Sequence, residues 1–305
     1  MFQQLISLFL SFLTFIVSLF GQGGGAADPT PTPGTEQEIV YLSDRTISYG
    51  ASDDQTLDLF LPTGKTGNVG LVLFIHGGAW VTGTKETYLT EALRYQAMGY
   101  VTASINYRYL GNGVLPADEL NDITASLRAI KTACAQKGIN VSKTVMVGSS
   151  SGAHLALLYA YTKIAEAPVT PVAVVSSSAP TDFTDPAFLQ SGAGELLAGS
   201  IGINTETLAL LMQSGIAQAF VPTLTNLSPA KQVKSTSVPT LMAHGKNDNI
   251  VPYSNAERLD AALTEKGVKH DFITFPNSGH ALLNDPACTL QFQTLATQYI
   301  ATYLG

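Results

Sequence analysis

KTVMVGSSSGAHLALLYAYT, residues 143–162, changes its hydrophobic period halfway along. Up to Gly148 it is a short run of β-branched and apolar residues, the composition of a strand covered on both faces. From Ser151 onward, apolar residues and good helix formers continue for three turns, the composition of a buried helix. The change falls inside G-S-S-S-G. Two glycines let strand and helix approach across a turn too tight for side chains, and the central residue is lifted clear at the strand tip. The frame G-x-S-x-G centres on Ser150, because shifting it by one residue either way loses a flanking glycine. Ser149 then leaves the strand and Ser151 opens the helix.

The same alternation runs outward from this unit. Apolar runs at 71–76, 100–106, 171–177, 239–245 and 270–276 predict further buried strands, and helical patterns at 86–98, 117–137, 254–267 and 287–303 lie between them. EIVYLSDRTISYG and QTLDLFLP alternate with period two and predict an antiparallel pair at one edge. Strand and helix in strict turn imply an α/β class with a mostly parallel central sheet flanked by helices and right-handed crossovers. The glycine-dotted apolar interval 182–228 breaks the rhythm. It predicts a small helical insertion over the carboxyl ends of the strands, where ligands of open α/β sheets bind, with a long crossover as the alternative.

A serine hydroxyl is a weak nucleophile near neutral pH and needs a base, which in turn needs a residue to orient it. Of the five histidines (His76, His154, His244, His270, His280), His280 lies in a loop beyond the last strand, free to reach the sheet tip. His154, one turn into the helix behind Ser150, reads as a packing and hydrogen-bonding residue, and His270, opening a strand, reads as exposed. Asp248, in the loop after the preceding strand, is placed to accept a hydrogen bond from the His280 ring; Asp182, after an earlier strand, is the rival acid. A tetrahedral oxyanion would need backbone donors. Gly77 and Gly78 after the strand at 71–76 can supply two, and the Ser151 N–H at a helix start a third. Ala79, Trp80 and Ser149 are expected to shape a substrate pocket. Arg108 and Asp122 read as a structural ion pair.

The 305 residues carry a net charge of -7 with no cluster of lysine or arginine, so the footprint of a nucleic-acid partner is missing. Leu5 to Phe20 form an apolar run without a basic flank, expected to be either a cleaved signal peptide or an N-terminal membrane anchor within residues 1–27. A Pro/Gly-rich linker, 28–37, leads to a folded domain over 38–305. The location expected is therefore secreted, or extracytoplasmic and membrane-anchored through residues 5–20. Cys134 and Cys288 lie in no metal-binding spacing, and neither a metal nor an organic cofactor is implied.

HGGAW (76–80), INYRYL (105–110), GSSSGAHLA (148–156) and HGKNDNIVP…SGH (244–280), in this order, resemble the α/β-hydrolase superfamily. The branch they resemble holds hormone-sensitive-lipase-like carboxylesterases and bacterial feruloyl-esterase-like enzymes. The resemblance implies the α/β-hydrolase fold and a serine esterase, with Ser150, Asp248 and His280 in the chain order of that superfamily's triad. It implies a small-molecule ester substrate, including acetyl or feruloyl esters of carbohydrate. An amide hydrolase such as a formamidase or small peptidase is the alternative, and a non-catalytic protein on the same fold a third. The superfamily arrangement also implies that Cys134 and Cys288 sit on opposite faces of the sheet and form no disulfide. Three residues depart from the family pattern: Ser151 and Ala153 in the elbow, where relatives commonly carry Ala and Gly, and Ala79 where lipase-like members carry a third glycine.

Overall fold

The computed structural model describes residues 40, 41, 43–111, 113–200 and 221–305. The expectations placed on residues 1–37 lie outside these, as does the middle of the expected insertion.

Eleven strands are found among the described residues: β1 (Val40–Tyr41), β2 (Thr46–Ser48), β3 (Thr56–Phe60), β4 (Gly67–Asn68), β5 (Leu71–Ile75), β6 (Val101–Ile105), β7 (Ile139–Asn140), β8 (Lys143–Ser149), β9 (Thr170–Ser177), β10 (Thr240–Gly245) and β11 (His270–Phe275). Nine of them form one sheet in the order β1-β2-β3-β6-β5-β8-β9-β10-β11, and β4 pairs with β7 apart from it. Pairing is antiparallel from β1 through β3 to β6 and parallel from β6 to β11. The helices are α1 (Leu89–Ala97), α2 (Pro116–Gln136), α3 (Ser151–Thr162), α4 (Pro186–Leu189), α5 (Gly192–Ser200), α6 (Val221–Asn226), α7 (Pro229–Gln232), α8 (Ser254–Glu265) and α9 (Pro286–Leu304). A 3-10 turn, Lys85–Tyr88, leads into α1. Helices α4 to α6 occupy the described part of the expected insertion, and α7 follows it directly.

Alternation along each central strand splits the core in two. Leu71, Leu73 and Ile75 of β5 join the cluster containing Leu127, Ile130 and Cys134 of α2 and Leu155 and Tyr159 of α3. Val72 and Phe74 join the opposite cluster, with Ala92 and Tyr95 of α1 and Tyr299 and Ile300 of α9. Each such side chain taken from water contributes about 1.5–3 kcal/mol, which is why β5 tolerates no polar residue on either face. Cys134 is in the first cluster and Cys288 packs against the second, so the sheet separates them and both are free thiols. On β6, Thr102 and Ser104 are polar yet buried, because their hydroxyls donate to the carbonyls of Ala92 and Lys85 and tie α1 and the 3-10 turn to the sheet.

Helix α2 starts at Pro116, where a missing N–H costs nothing, and the Asp118 carboxylate accepts from the Leu115 N–H at 2.9 Å. The same helix buries Asp122, to which Arg108 donates from Nη2 at 2.7 Å and from Nε at 3.0 and 3.1 Å. Gln55 Nε2 and the Arg108 backbone N–H also donate to this carboxylate. Arg108 thus locks the exit of β6 onto α2, as its expected structural role requires. His270 differs from expectation: its ring is only 15% exposed, with Nδ1 bound to the Val268 carbonyl and Nε2 3.1 Å from Asp260. The strand it opens lies at the sheet edge, but α8 covers that end.

β5 is flanked by β6 on one side and β8 on the other, so chain connections leave it in opposite directions. The loops after β5 and β8 part there, at the carboxyl ends of the strands, the switch point at which open α/β sheets bind ligands.

Candidate active site

Ser150 stands at that end of the sheet with φ 53° and ψ -126°, a backbone conformation that a non-glycine residue holds only under constraint. The constraint comes from both sides: its N–H donates to the Ser177 carbonyl on β9 at 2.9 Å, and its own carbonyl accepts from the His154 N–H at 3.0 Å. Gly152 explains why the motif needs its second glycine. A Cβ there would lie 2.1 Å from the Ile75 carbonyl oxygen and 2.4 Å from that of His76. The helix therefore rests directly on the end of β5, which brings the serine beside the loop that follows β5.

That loop holds Gly78, Ala79 and Trp80 in succession at positive φ (132°, 51° and 64°). Its shape is held from several directions. The Gly78 carbonyl accepts from the N–H groups of Val81 and Thr82, and the Trp80 carbonyl accepts from Leu110. His76 Nδ1 is 2.7 Å from the Gly77 carbonyl oxygen, and since the carbonyl can only accept, the ring carries its proton on Nδ1. Burial pushes the His76 imidazole down to about 4, so it is neutral at physiological pH. In a trans peptide the carbonyl of Gly77 and the N–H of Gly78 point in opposite directions. Fixing the first on His76 turns the second to the side opposite the His76 ring.

The Trp80 indole is 1% exposed, packed edge-on against His154 and Phe183, and its Nε1–H donates to His154 Nδ1 at 3.1 Å. The indole, turned inward beneath the loop, braces it. Ala79, 8% exposed, is also largely covered. Ser149 is half-buried beside Gly77. With Nδ1 accepting, His154 donates from Nε2 to the Leu227 carbonyl at 2.8 Å, and burial pushes it down to about 4. His154 thus joins the serine's helix, the glycine loop and the helical insertion, in keeping with its reading as a packing and hydrogen-bonding residue.

The loop after β11 brings His280 to the serine. His280 Nε2 is 2.9 Å from Ser150 Oγ, and Nδ1 is 2.7 Å from Asp248 Oδ2. A carboxylate only accepts, so the proton sits on Nδ1 and the Nε2 lone pair faces the serine hydroxyl. Burial raises the Asp248 carboxyl, but hydrogen bonds from His244 and His280 outweigh it and hold the acid far below the usual carboxylate range. The His280 loop is itself pinned: Ser178 Oγ donates to the His280 carbonyl at 2.8 Å, and Ser278 Oγ donates to Asp285 at 2.6 Å. The rival acid, Asp182, is engaged elsewhere, with Lys231 Nζ at 3.1 Å and Arg258 Nη1 at 3.2 Å.

Ser150, Asp248 and His280 therefore meet, with Gly77 and the start of α3 beside the serine. Three contributors went unread in the sequence: His244 against Asp248, Ser178 against the His280 backbone, and His76 behind the glycine loop. A strand histidine four residues before the acid is the single trace His244 leaves. Chemically, the arrangement can take the proton of the Ser150 hydroxyl on His280 and return it. Among the described residues no group of three or more His, Cys, Asp or Glu side chains could hold a metal ion.

A family model named BD-FAE matches residues 57–263, about two thirds of the chain. The chain belongs to the BD-FAE family. Among curated proteins, this BD-FAE member is 25% identical over 258 residues to a probable isoprenylcysteine alpha-carbonyl methylesterase of Oryza sativa, covering 79% of this chain and 58% of that protein. It is 28% identical over 251 residues to the probable carboxylic ester hydrolase LipM of Mycobacterium tuberculosis, covering 77% and 55%. It is 24% identical over 235 residues to the kynurenine formamidase of Salmo salar, covering 77% and 73%. The chain spans little more than half the length of the first two. Among solved structures, it resembles a truncated carbohydrate esterase from gut microbiota (TM-score 0.66, 20% identity, 90% of this chain and 99% of that one). It also resembles esterase 2 of Thermogutta terrifontis phosphonylated by sarin (TM-score 0.66, 18% identity, 87% and 94%). These likenesses establish the α/β-hydrolase fold for the BD-FAE chain.

Proposed function

We propose that the protein is a serine hydrolase of carboxylic esters working through an acyl-enzyme. The observation that carries this reading is the hydrogen-bonded line from Ser150 Oγ through both His280 nitrogens to Asp248 Oδ2. In it, Ser150 attacks the ester carbonyl carbon as His280 Nε2 takes the hydroxyl proton. The carbonyl oxygen becomes an oxyanion held by the N–H groups of Gly77, Gly78 and Ser151, where each donor is worth about 2.7–4 kcal/mol. Collapse expels the alkoxide, to which His280 returns the proton, leaving an acyl group on Ser150. Water then attacks the acyl carbon and gives its proton to His280, which returns it to Ser150 Oγ as the carbon–Oγ bond breaks and the acid departs. Asp248 holds the ring in the required tautomer and stabilises the imidazolium.

The likeness to a truncated carbohydrate esterase, and to a bifunctional GH43-CE protein of Bacteroides eggerthii (TM-score 0.69, 22% identity), favours acetyl or feruloyl esters of carbohydrate. The formamidase relatives favour amide hydrolysis as the second reading. We also assign residues 1–27 to export, as signal peptide or membrane anchor, followed by a linker, 28–37, and the catalytic domain, 38–305. N-terminal sequencing of protein from the producing cell separates cleavage from retention.

The test is a panel of p-nitrophenyl esters, feruloyl and acetyl esters of sugars, and formylated amines, run with the wild type and with Ser150→Ala beside fluorophosphonate labelling. Ester turnover and labelling that both vanish in Ser150→Ala are expected. Turnover that persists in that variant, or a wild type that neither labels nor cleaves any ester, overturns the reading.

A further inference from the structure

Asp248 receives more hydrogen bonds than a partner for one histidine requires. Its Oδ1 accepts from the backbone N–H groups of Ile250 and Val251, both at 2.9 Å. Its Oδ2 accepts from His280 Nδ1 at 2.7 Å and lies 3.1 Å from Nε2 of His244. His244 is on β10 and 1% exposed, and the same Nε2 is 2.9 Å from the Val251 carbonyl oxygen. Both neighbours of that nitrogen are acceptors, so Nε2 must carry hydrogen and share it between them. The ring cannot turn away: it meets the Tyr253 ring edge-on at 6.0 Å, and the Tyr253 hydroxyl is 2.5 Å from Thr274 Oγ1 on β11.

We infer that His244 is a positioning residue, a fourth member of the line, acting on the reaction through Asp248. This rests on the serine-hydrolase reading of the site. A carboxylate offers about four lone-pair positions, and here four donors occupy them. With two backbone amides on Oδ1 and His244 on Oδ2, a single carboxylate rotamer satisfies every donor, and in it Oδ2 faces His280. His244 also draws charge from the oxygen that stabilises the His280 imidazolium. It therefore limits how strongly Asp248 favours that cation and keeps the base able to give its proton back to the leaving group.

The experiment compares His244→Leu, which removes the donor, with His244→Gln, which keeps an N–H at similar reach. His244→Met replaces the leucine variant if that does not accumulate as folded protein. For each, kcat and KM on p-nitrophenyl acetate are measured across pH, with the far-downfield proton resonance of the His280–Asp248 bond, identified by its loss in Asp248→Asn. The apolar variant is expected to lower kcat about tenfold or more, the effect of one hydrogen bond to a charged group, with KM within about threefold. Its acid limb should move to higher pH and its downfield resonance should shift, and glutamine should restore most of each. A folded apolar variant with unchanged kcat and resonance overturns the inference. So does equal loss in both variants with pH profile and resonance unmoved, which is packing alone. Should the wild type cleave no ester, the functional reading fails, while the resonance in wild type and variant still decides whether His244 sets the Asp248–His280 bond.

Discussion

His280 Nε2 lies 2.9 Å from Ser150 Oγ, whereas the hydroxyl of the next residue, Ser151, is buried without a hydrogen-bond partner among the described residues. Two adjacent serines thus differ completely in what their side chains can do. Ser150→Ala should lower kcat on any cleaved ester by a factor on the order of 10^4 to 10^6, the range found for triad nucleophiles. Ser151→Ala loses no hydrogen bond and keeps its backbone N–H, so its kcat should stay within about threefold of wild type. Steady-state kinetics decide this, and a Ser151→Ala enzyme as inactive as Ser150→Ala would contradict the assignment.

Gly152→Ala should damage both stability and turnover. Its Cβ would meet the carbonyl oxygens of Ile75 and His76 at 2.1 and 2.4 Å, and both are backbone atoms that no rotamer change can withdraw. Relief requires α3 to lift from β5, at about 1–3 kcal/mol or more for overpacking. The displaced atoms adjoin Gly77, so the loop carrying the expected oxyanion donors moves too. Urea unfolding and kcat of the folded fraction read the two effects, and a variant with wild-type values of both would show that the contact is not tight.

What could be read in the sequence was local. The strand at 143–149 and the helix beginning at Ser151 follow from composition over a few residues, and the G-x-S-x-G frame follows from the turn between them. His280 and Asp248 could be placed because each leaves a strand tip and parallel strands deliver all their tips to one edge. His244 bonding Asp248, and Ser178 bonding the His280 backbone, depend on register between strands distant in sequence. The inward turn of Trp80 was illegible for a related reason. An aromatic after a glycine pair can face either way, and here three positive φ values in a row turn it beneath the loop toward His154. The β4–β7 pair went unread because two-residue strands, Gly67–Asn68 and Ile139–Asn140, carry no periodicity at all.

The fold should weaken in mild acid through His154. Burial holds this imidazole down at about 4 in the folded protein, against about 6.5 when unfolded. Its contribution is therefore present above about pH 6.5 and is lost as pH falls from there toward 4, because the unfolded chain takes up a proton that the native state refuses. The slope is at most about 1.4 kcal/mol per pH unit for one such group. His154→Gln should be less stable at pH 7.5, having lost the bonds to Trp80 and Leu227, yet decline less steeply between pH 6.5 and 4. Urea unfolding at several pH values tests this, and parallel curves for the two proteins would refute it.

Glu119 of α2 predicts the opposite slope. It is fully buried, neither carboxyl oxygen has a hydrogen-bond partner among the described residues, and burial, reinforced by Asp122 and Asp118, raises its carboxyl well above the usual range. The folded protein therefore favours the neutral acid. Its contribution is complete below about pH 4.3, where the unfolded chain is also protonated, and is lost as pH rises through the folded-state value. Glu119→Gln has the same shape and no ionisation, so the difference in stability, variant minus wild type, should grow with pH by up to about 1.4 kcal/mol per unit. The new amide adds an offset of either sign, but that offset does not change with pH, so the slope alone carries the prediction. Urea unfolding of both proteins at pH 5, 7 and 9 measures it. A difference that stays constant over that range would mean that Glu119 is already ionised, and paired, in the folded state.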